Sequence, residues 1–130
     1  MTKEEHIKYW LNTAEEDWKV ANHLFEKGDY SWCLFISHLV IEKYLKALYV
    51  QNVDRTVPYI HDLVKIAKKA KIEIDDENKI ILDTITTFNL NTRYDDYKKS
   101  FYKKCTKIYT KEQFSKIEEV KKWIMSLIKY

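Results

Sequence analysis

The stretch Tyr30–Val50, YSWCLFISHLVIEKYLKALYV, decides the fold. Trp32, Phe35, Ile36, Leu39, Val40, Tyr44, Leu45 and Leu48 spread apolar side chains over much of a helical circumference. A helix apolar over so wide an arc is one with neighbours on several sides. Only a narrow polar stripe is left: His38, Glu42 and Lys46, at steps of four. Glu42 precedes Lys46 in the favourable orientation for an ion pair one turn apart. Lys43 points roughly 100° away from Glu42 around the axis. The stretch therefore predicts a central helix, capped by Asp29 or Ser31, with the rest of the chain packed around it.

The flanks supply those neighbours. Thr2 and Glu5 make a capping box for a first helix running to Lys27. Ile7, Trp10, Leu11, Ala14, Trp18, Ala21, Leu24 and Phe25 give it one apolar face. Gly28, the only glycine, stands where a left-handed helix end is wanted. Pro58 is read as opening a third helix, Tyr59–Lys71, with Ile60, Leu63, Val64, Ala67 and Ala70 inward and Asp62 in its first turn. Asp75 or Asp76 begins a fourth, with Ile80, Ile81, Ile85 and Phe88 as its stripe. Thr110 and Gln113 form a second capping box for a last helix that runs to Lys129. Phe114, Ile117, Val120, Ile124, Leu127 and Ile128 line one side of it. One glycine and one proline in 130 residues leave little material for tight turns. The expectation is all-α: an up-and-down bundle of four long helices plus a short fifth, forming one domain over residues 1–130.

Composition narrows the function classes. Hydrophobic residues are 45% and charged residues 33% of the chain, a globular balance. No apolar run approaches the ~20 residues of a membrane span. The start, MTKEEHIKYW, is charged at once and has no apolar signal core, so a cytoplasmic location is expected. Cys33 and Cys105 lack neighbours at metal-binding spacing and are read as free thiols. The four histidines, at 6, 23, 38 and 61, include no pair four apart, so no helical metal site and no metal is expected. A single glycine rules out a glycine-rich phosphate cradle, and no cofactor is expected.

One segment stands out. Asn91–Lys104, NTRYDDYKKSFYKK, is read as the least regular part of the chain, with at most a short helical turn at Tyr97, Phe101 and Tyr102. It begins a long connection to the last helix. From Arg93 to Lys111 seven basic side chains face two acidic ones, a local charge of +5 against +3 for the whole chain. Arg93 offers a planar fork suited to phosphate. Asp95 and Asp96 can hold that fork or take a hydroxyl. Tyr94, Tyr97, Phe101 and Tyr102 offer faces for bases, and interleaved lysines suit a single strand. The ligand-binding candidates are Arg93, Tyr94, Asp95, Asp96, Tyr97, Lys98 and Lys99. The plain alternative is a charged loop with its tyrosines packed on the bundle. Secondary candidates each have a structural alternative. His38 is a core-edge histidine bonded to Glu42, or else a general base or nucleotide contact. Glu42, Lys43 and Lys46 are a solvated stripe with an ion pair, or a contact to phosphate or a second subunit. His61 and Asp62 cap a helix and pack, or serve the site.

The order of these features resembles the HEPN family (higher eukaryotes and prokaryotes nucleotide-binding domain), of the small stand-alone prokaryotic type. The residues carrying the resemblance are Glu42 to Ala47 (EKYLKA), His61-Asp62-Leu63, and Arg93 with Tyr94 and Asp95, within a match over nearly the whole chain. The resemblance implies a bundle of four to five helices that pairs as a homodimer, with an arginine motif near the dimer cleft. It implies RNA or nucleotide as ligand, and a minimal nucleotidyltransferase as partner in a toxin–antitoxin pair. Many such proteins are metal-independent ribonucleases with an Arg-x4–6-His motif. Here the positions after Arg93 at those spacings are Lys98, Lys99 and Ser100, and no histidine follows His61. The tyrosine that some partner enzymes adenylylate, two residues beyond the motif histidine, corresponds here to Ser100. Three readings stay open: a binding protein for nucleotide, RNA or a partner enzyme; a divergent ribonuclease using Arg93 with His38 or His61; and a non-catalytic protein-interaction module.

Overall fold

A computed structural model describes residues 1–129. It contains α1 (Lys3–Glu26), α2 (Tyr30–Asn52), α3 (Leu63–Lys69), α4 (Asp76–Arg93), α5 (Asp95–Lys104) and α6 (Lys107–Ser126), with no strand among the described residues. The four long helices form the bundle, and α3 and α5 are short insertions in its connections. The all-helical expectation holds.

The first helix hairpin follows local chemistry closely. Glu5 N–H donates to Thr2 Oγ1 (3.1 Å) and Thr2 N–H to Glu5 Oε1 (3.4 Å), the reciprocal capping box. At the other end Gly28 takes φ +80°. Its N–H bonds the Phe25 carbonyl and that of Asp29 bonds the Leu24 carbonyl, a Schellman ending that turns the chain straight into α2.

Helix α2 touches every other helix. Leu34, Val40, Ile41, Leu45, Leu48 and Ala47 are fully buried on it. Of the expected arc, Trp32 is exposed, Phe35, Ile36 and Leu39 are half-buried, and Val40, Tyr44, Leu45 and Leu48 are in the core. Removing a leucine from such a site costs about 2–5 kcal/mol. Cross-links tie the far end together. Gln51 Nε2–H donates to the Leu127 carbonyl (3.0 Å), and Lys129 N–H to Gln51 Oε1 (2.6 Å). Asn52 Nδ2–H reaches the Ala70 carbonyl (2.8 Å). Among the described residues no helix is long and apolar enough to cross a membrane.

Three boundaries differ from the expectation. Pro58 opens no helix: residues 53–62 stay irregular, and α3 starts at Leu63, where the Asp62 carboxylate accepts from Lys65 N–H (3.2 Å). The last helix starts four residues earlier, because Thr106, not Thr110, accepts from Tyr109 N–H (3.1 Å). Thr110 and Gln113 are buried inside it. Most consequentially, Asn91–Tyr109 is not a loop. α4 continues through Arg93, Tyr94 makes the turn, and α5 and α6 are separated only by Cys105 and Thr106. Phe101 anchors α5 by burying its ring against Phe88, with centroids 5.7 Å apart. The α4 stripe also shifts: Ile80 is exposed, while Leu82, Ile85, Phe88, Asn89 and Thr92 face inward.

Candidate functional site

Two polar sites lie along α2. The first is a cleft of about 450 Å³ at its N-terminal end, lined by Asp29, Ser31 and Trp32 from the start of α2 and by Thr92, Asp95, Lys98, Lys99 and Tyr102 from the α4–α5 corner. The corner exists because Tyr94 leaves helical geometry (φ −95°, ψ 127°), so α5 sets off in a new direction. The Trp32 ring is 43% exposed, and Lys98 Nζ stands over it, 5.6 Å from the centroid. Such a cation–π contact holds the ammonium over an aromatic face without neutralising it. Tyr102 is 71% exposed at the same mouth.

The candidate segment divides at this corner. Asp95, Lys98 and Lys99 line the cleft. Arg93, Tyr94, Asp96 and Tyr97 are exposed but do not line it. Arg93 Cζ lies 5.9 Å from the ring of Tyr94. The ion pairs of the described residues include neither Asp95 nor Asp96, so the expected clamp on Arg93 is not formed. Sequence pattern alone marks none of Thr92, Asp29 and Ser31 as ligand residues and places Trp32 only in the apolar arc. Nothing local in the sequence marks Trp32, whose place at the rim comes from the α4–α5 corner packed beside the start of α2.

The second site gathers most of the secondary candidates. The expected solvated stripe is buried: His38, Glu42 and Lys46 are 0%, 4% and 8% exposed. Glu42 is the hub. It accepts from Lys46 Nζ on Oε2 (3.1 Å) and from His61 Nδ1–H on Oε1 (2.7 Å). His38 Nε2 is 3.9 Å from Glu42 Oε1, beyond a hydrogen bond, and donates instead to the His61 carbonyl (3.0 Å). The expected His38–Glu42 bond is thus replaced by a His61–Glu42 bond, because the irregular 53–62 segment brings His61 onto α2. His38 Nδ1 is buried without a partner. Burial pushes the His38 pKa below its ordinary value. The His61 carbonyl and the Glu42 charge oppose this, and the positive charges of His61 and Arg93 add to it. Lys43 and Asp62 stand apart: Lys43 pairs with Asp17 (2.6 Å), and Asp62 caps α3.

The chemistry of the two sites differs. The cleft offers aromatic faces, two ammonium groups and two carboxylates to a ligand. The hub holds His61 by its Nδ1–H and leaves Nε2 without a protein partner on a side chain 54% exposed. Among the described residues no cluster of His, Cys, Asp and Glu is arranged to hold a metal. Both cysteines are free and buried, and burial pushes their thiols up, Cys33 to about 12 and Cys105 to about 11.

Comparison with known proteins adds a family and a fold. No curated protein matches the chain. It is similar to a solved protein, TT1696 from Thermus thermophilus, at a TM-score of 0.80 and 16% identity, covering 94% of this chain and 98% of that one. At that identity the likeness speaks for the bundle alone. The family model described as HEPN domain matches residues 7–128. With nearly its whole length matched, the chain belongs to the HEPN domain family, a helical, nucleotide- and RNA-related class.

Proposed function

We propose that this protein binds a nucleotide or single-stranded RNA in the cleft at the start of α2, without catalysis of its own. One observation carries this: Trp32 and Tyr102 share a cleft of nucleotide size with Lys98 and Lys99. Trp32 or Tyr102 stacks on a base, and the two lysines meet phosphate. Arg93, at the corner outside the cleft, holds the next phosphate, and Lys103 and Lys104 extend the positive field along α5. The test is titration of labelled single-stranded RNA across a salt series without metal. Binding should weaken steeply as salt rises and should drop at least tenfold in a Lys98→Ala/Lys99→Ala variant. Equal affinity of variant and wild type would overturn the assignment.

The family resemblance adds a homodimer and a minimal nucleotidyltransferase as partner in a toxin–antitoxin pair, and we propose a cytoplasmic setting for both. Tyr94 and Tyr97, 51% and 48% exposed beside the cleft, suit a protein surface of that kind. Sedimentation of the protein alone and with a co-expressed nucleotidyltransferase tests both associations; a monomer in each mixture would remove them.

A second reading, a divergent metal-independent ribonuclease, is favoured by the hub. A carboxylate-held imidazole with an open nitrogen is what proton transfer requires, and the charge of Arg93 reaches neighbouring His38. In that reading His61 replaces the histidine that Lys98, Lys99 and Ser100 do not supply. RNA left intact by wild type after long incubation, while still bound, would sink it.

A further inference from the structure

Threonine hydroxyls inside these helices follow one habit. Thr13, Thr84, Thr86, Thr87 and Thr110 each donate back to a carbonyl three or four residues earlier. Thr92 does not. It is 1% exposed, it lines the cleft, and its Oγ1 has no hydrogen-bond partner. A buried hydroxyl without a partner is costly.

Two further cleft groups are unengaged. Asp29 occupies the cap position of α2, yet its carboxylate makes no capping bond. Asp95 stands three and four residues before Lys98 and Lys99, the spacing of helical ion pairs, but forms none. Carboxylates oppose a ligand that is only a chain of phosphates. They favour one that presents hydroxyl donors beside its phosphate. The sugar of a ribonucleotide does so, and a carboxylate can accept both hydroxyls of a 2′,3′ diol.

We infer that the cleft is selective for ribonucleotides carrying a free 2′,3′ diol, with Asp95 accepting from the diol and Thr92 Oγ1 completing the sugar contact. This rests on the nucleotide-binding reading above and narrows it. Two sources present the same chemistry, a free ribonucleoside monophosphate and the 3′ end of an RNA strand. Lys98 and Lys99 supply the phosphate contact in either case.

The test is calorimetric titration of wild type, Asp95→Asn and Thr92→Val with the four ribonucleoside 5′-monophosphates and their 2′-deoxy counterparts. Wild type should prefer the ribonucleotides by about tenfold or more, the scale of a hydrogen bond to a charged group. Asp95→Asn should bring that ratio close to one without weakening deoxynucleotide binding, because it also removes a charge that repels phosphate. Thr92→Val should bind ribonucleotides more weakly and melt no lower than wild type, since it deletes an unpartnered polar group. A parallel arm compares an RNA oligomer ending in a free 3′ hydroxyl with the same oligomer 3′-phosphorylated. Preference for the free end identifies the strand terminus as the source; equal binding with tight mononucleotide binding identifies the free nucleotide. Equal affinity of wild type for ribo and deoxy ligands would overturn the diol assignment while leaving the cleft a nucleotide site. No binding of any nucleotide or RNA would overturn the parent reading as well.

Discussion

The cleft and the Glu42 hub share one face of α2, yet they treat carboxylates in opposite ways. Ser31, His38 and Glu42 recur at steps of seven and four, and Ser31 and Glu42 are about 16 Å apart along the axis. At the hub both oxygens of one carboxylate are taken, by Lys46 and His61. At the cleft a buried hydroxyl is unpartnered and two carboxylates are unpaired. A buried carboxylate with both oxygens bonded holds a structure together, whereas unengaged polar groups that line a cleft are open to a ligand. His38 Nδ1, the hub's buried unpartnered atom, does not line the cleft. Charge alone does not separate the two sites, since both mix lysine with carboxylate.

The largest effect that can break this comparison is at Glu42. Glu42→Ala strands the buried Lys46 ammonium and frees His61, and should cost about 3 kcal/mol in urea unfolding. A loss under about 1 kcal/mol would mean that the hub is not structural. The cleft should behave in the reverse sense. In the Lys98→Ala/Lys99→Ala variant the unfolding midpoint should stay put, while the slope of log affinity for RNA against log salt becomes shallower by roughly 1.4, about 0.7 per lost phosphate contact. A shifted midpoint with an unchanged slope would exchange the roles of the two sites.

A smaller effect sharpens the hub. The folded state holds the His38 pKa below its unfolded value. The unfolded chain therefore takes up a proton, as pH falls through about 6.5, that the folded chain refuses. The His38 contribution is fully present above that pH and declines as the solution becomes more acid. Thermal melts between pH 7.5 and 5 should show a fall that His38→Gln, which keeps a donor for the His61 carbonyl, reduces. An identical pH profile in the variant would contradict the assignment. The smallest effect is at Lys43, whose pair with Asp17 is about a quarter exposed on each side. Lys43→Ala should cost below ~1 kcal/mol, and a loss equal to that of Glu42→Ala would erase the distinction between a buried hub and a surface pair.

The bundle was legible because its determinants are local. The wide apolar arc of α2, the Thr2–Glu5 box and the Gly28 ending each act within a few residues. In sequence the α5 region resembles a loop because its lysines and tyrosines hide the one residue, Phe101, that fixes it, and because Thr106 caps a helix that Thr110 also resembles a cap for. Pro58 misled in the same way: a proline suits a helix start but does not make one, and the Asp62 cap four residues later prevailed. Asp95, Lys98 and Lys99 were legible as candidates from charge and spacing. Trp32 and Thr92 were not, because their importance comes from a juxtaposition of α2 with the α4–α5 corner, far apart in the chain. The unmade bond of Thr92 depends on a side-chain choice that no pattern encodes.

The most direct test of the central claim is a two-dimensional amide and indole NMR titration of the protein with a short single-stranded RNA at low salt. The account predicts that the Trp32 indole and the amides of Thr92, Asp95, Lys98 and Lys99 shift first and together, while those of Glu42 and His61 move little. Shifts centred on Glu42 and His61, with Trp32 and Thr92 unmoved, would contradict it.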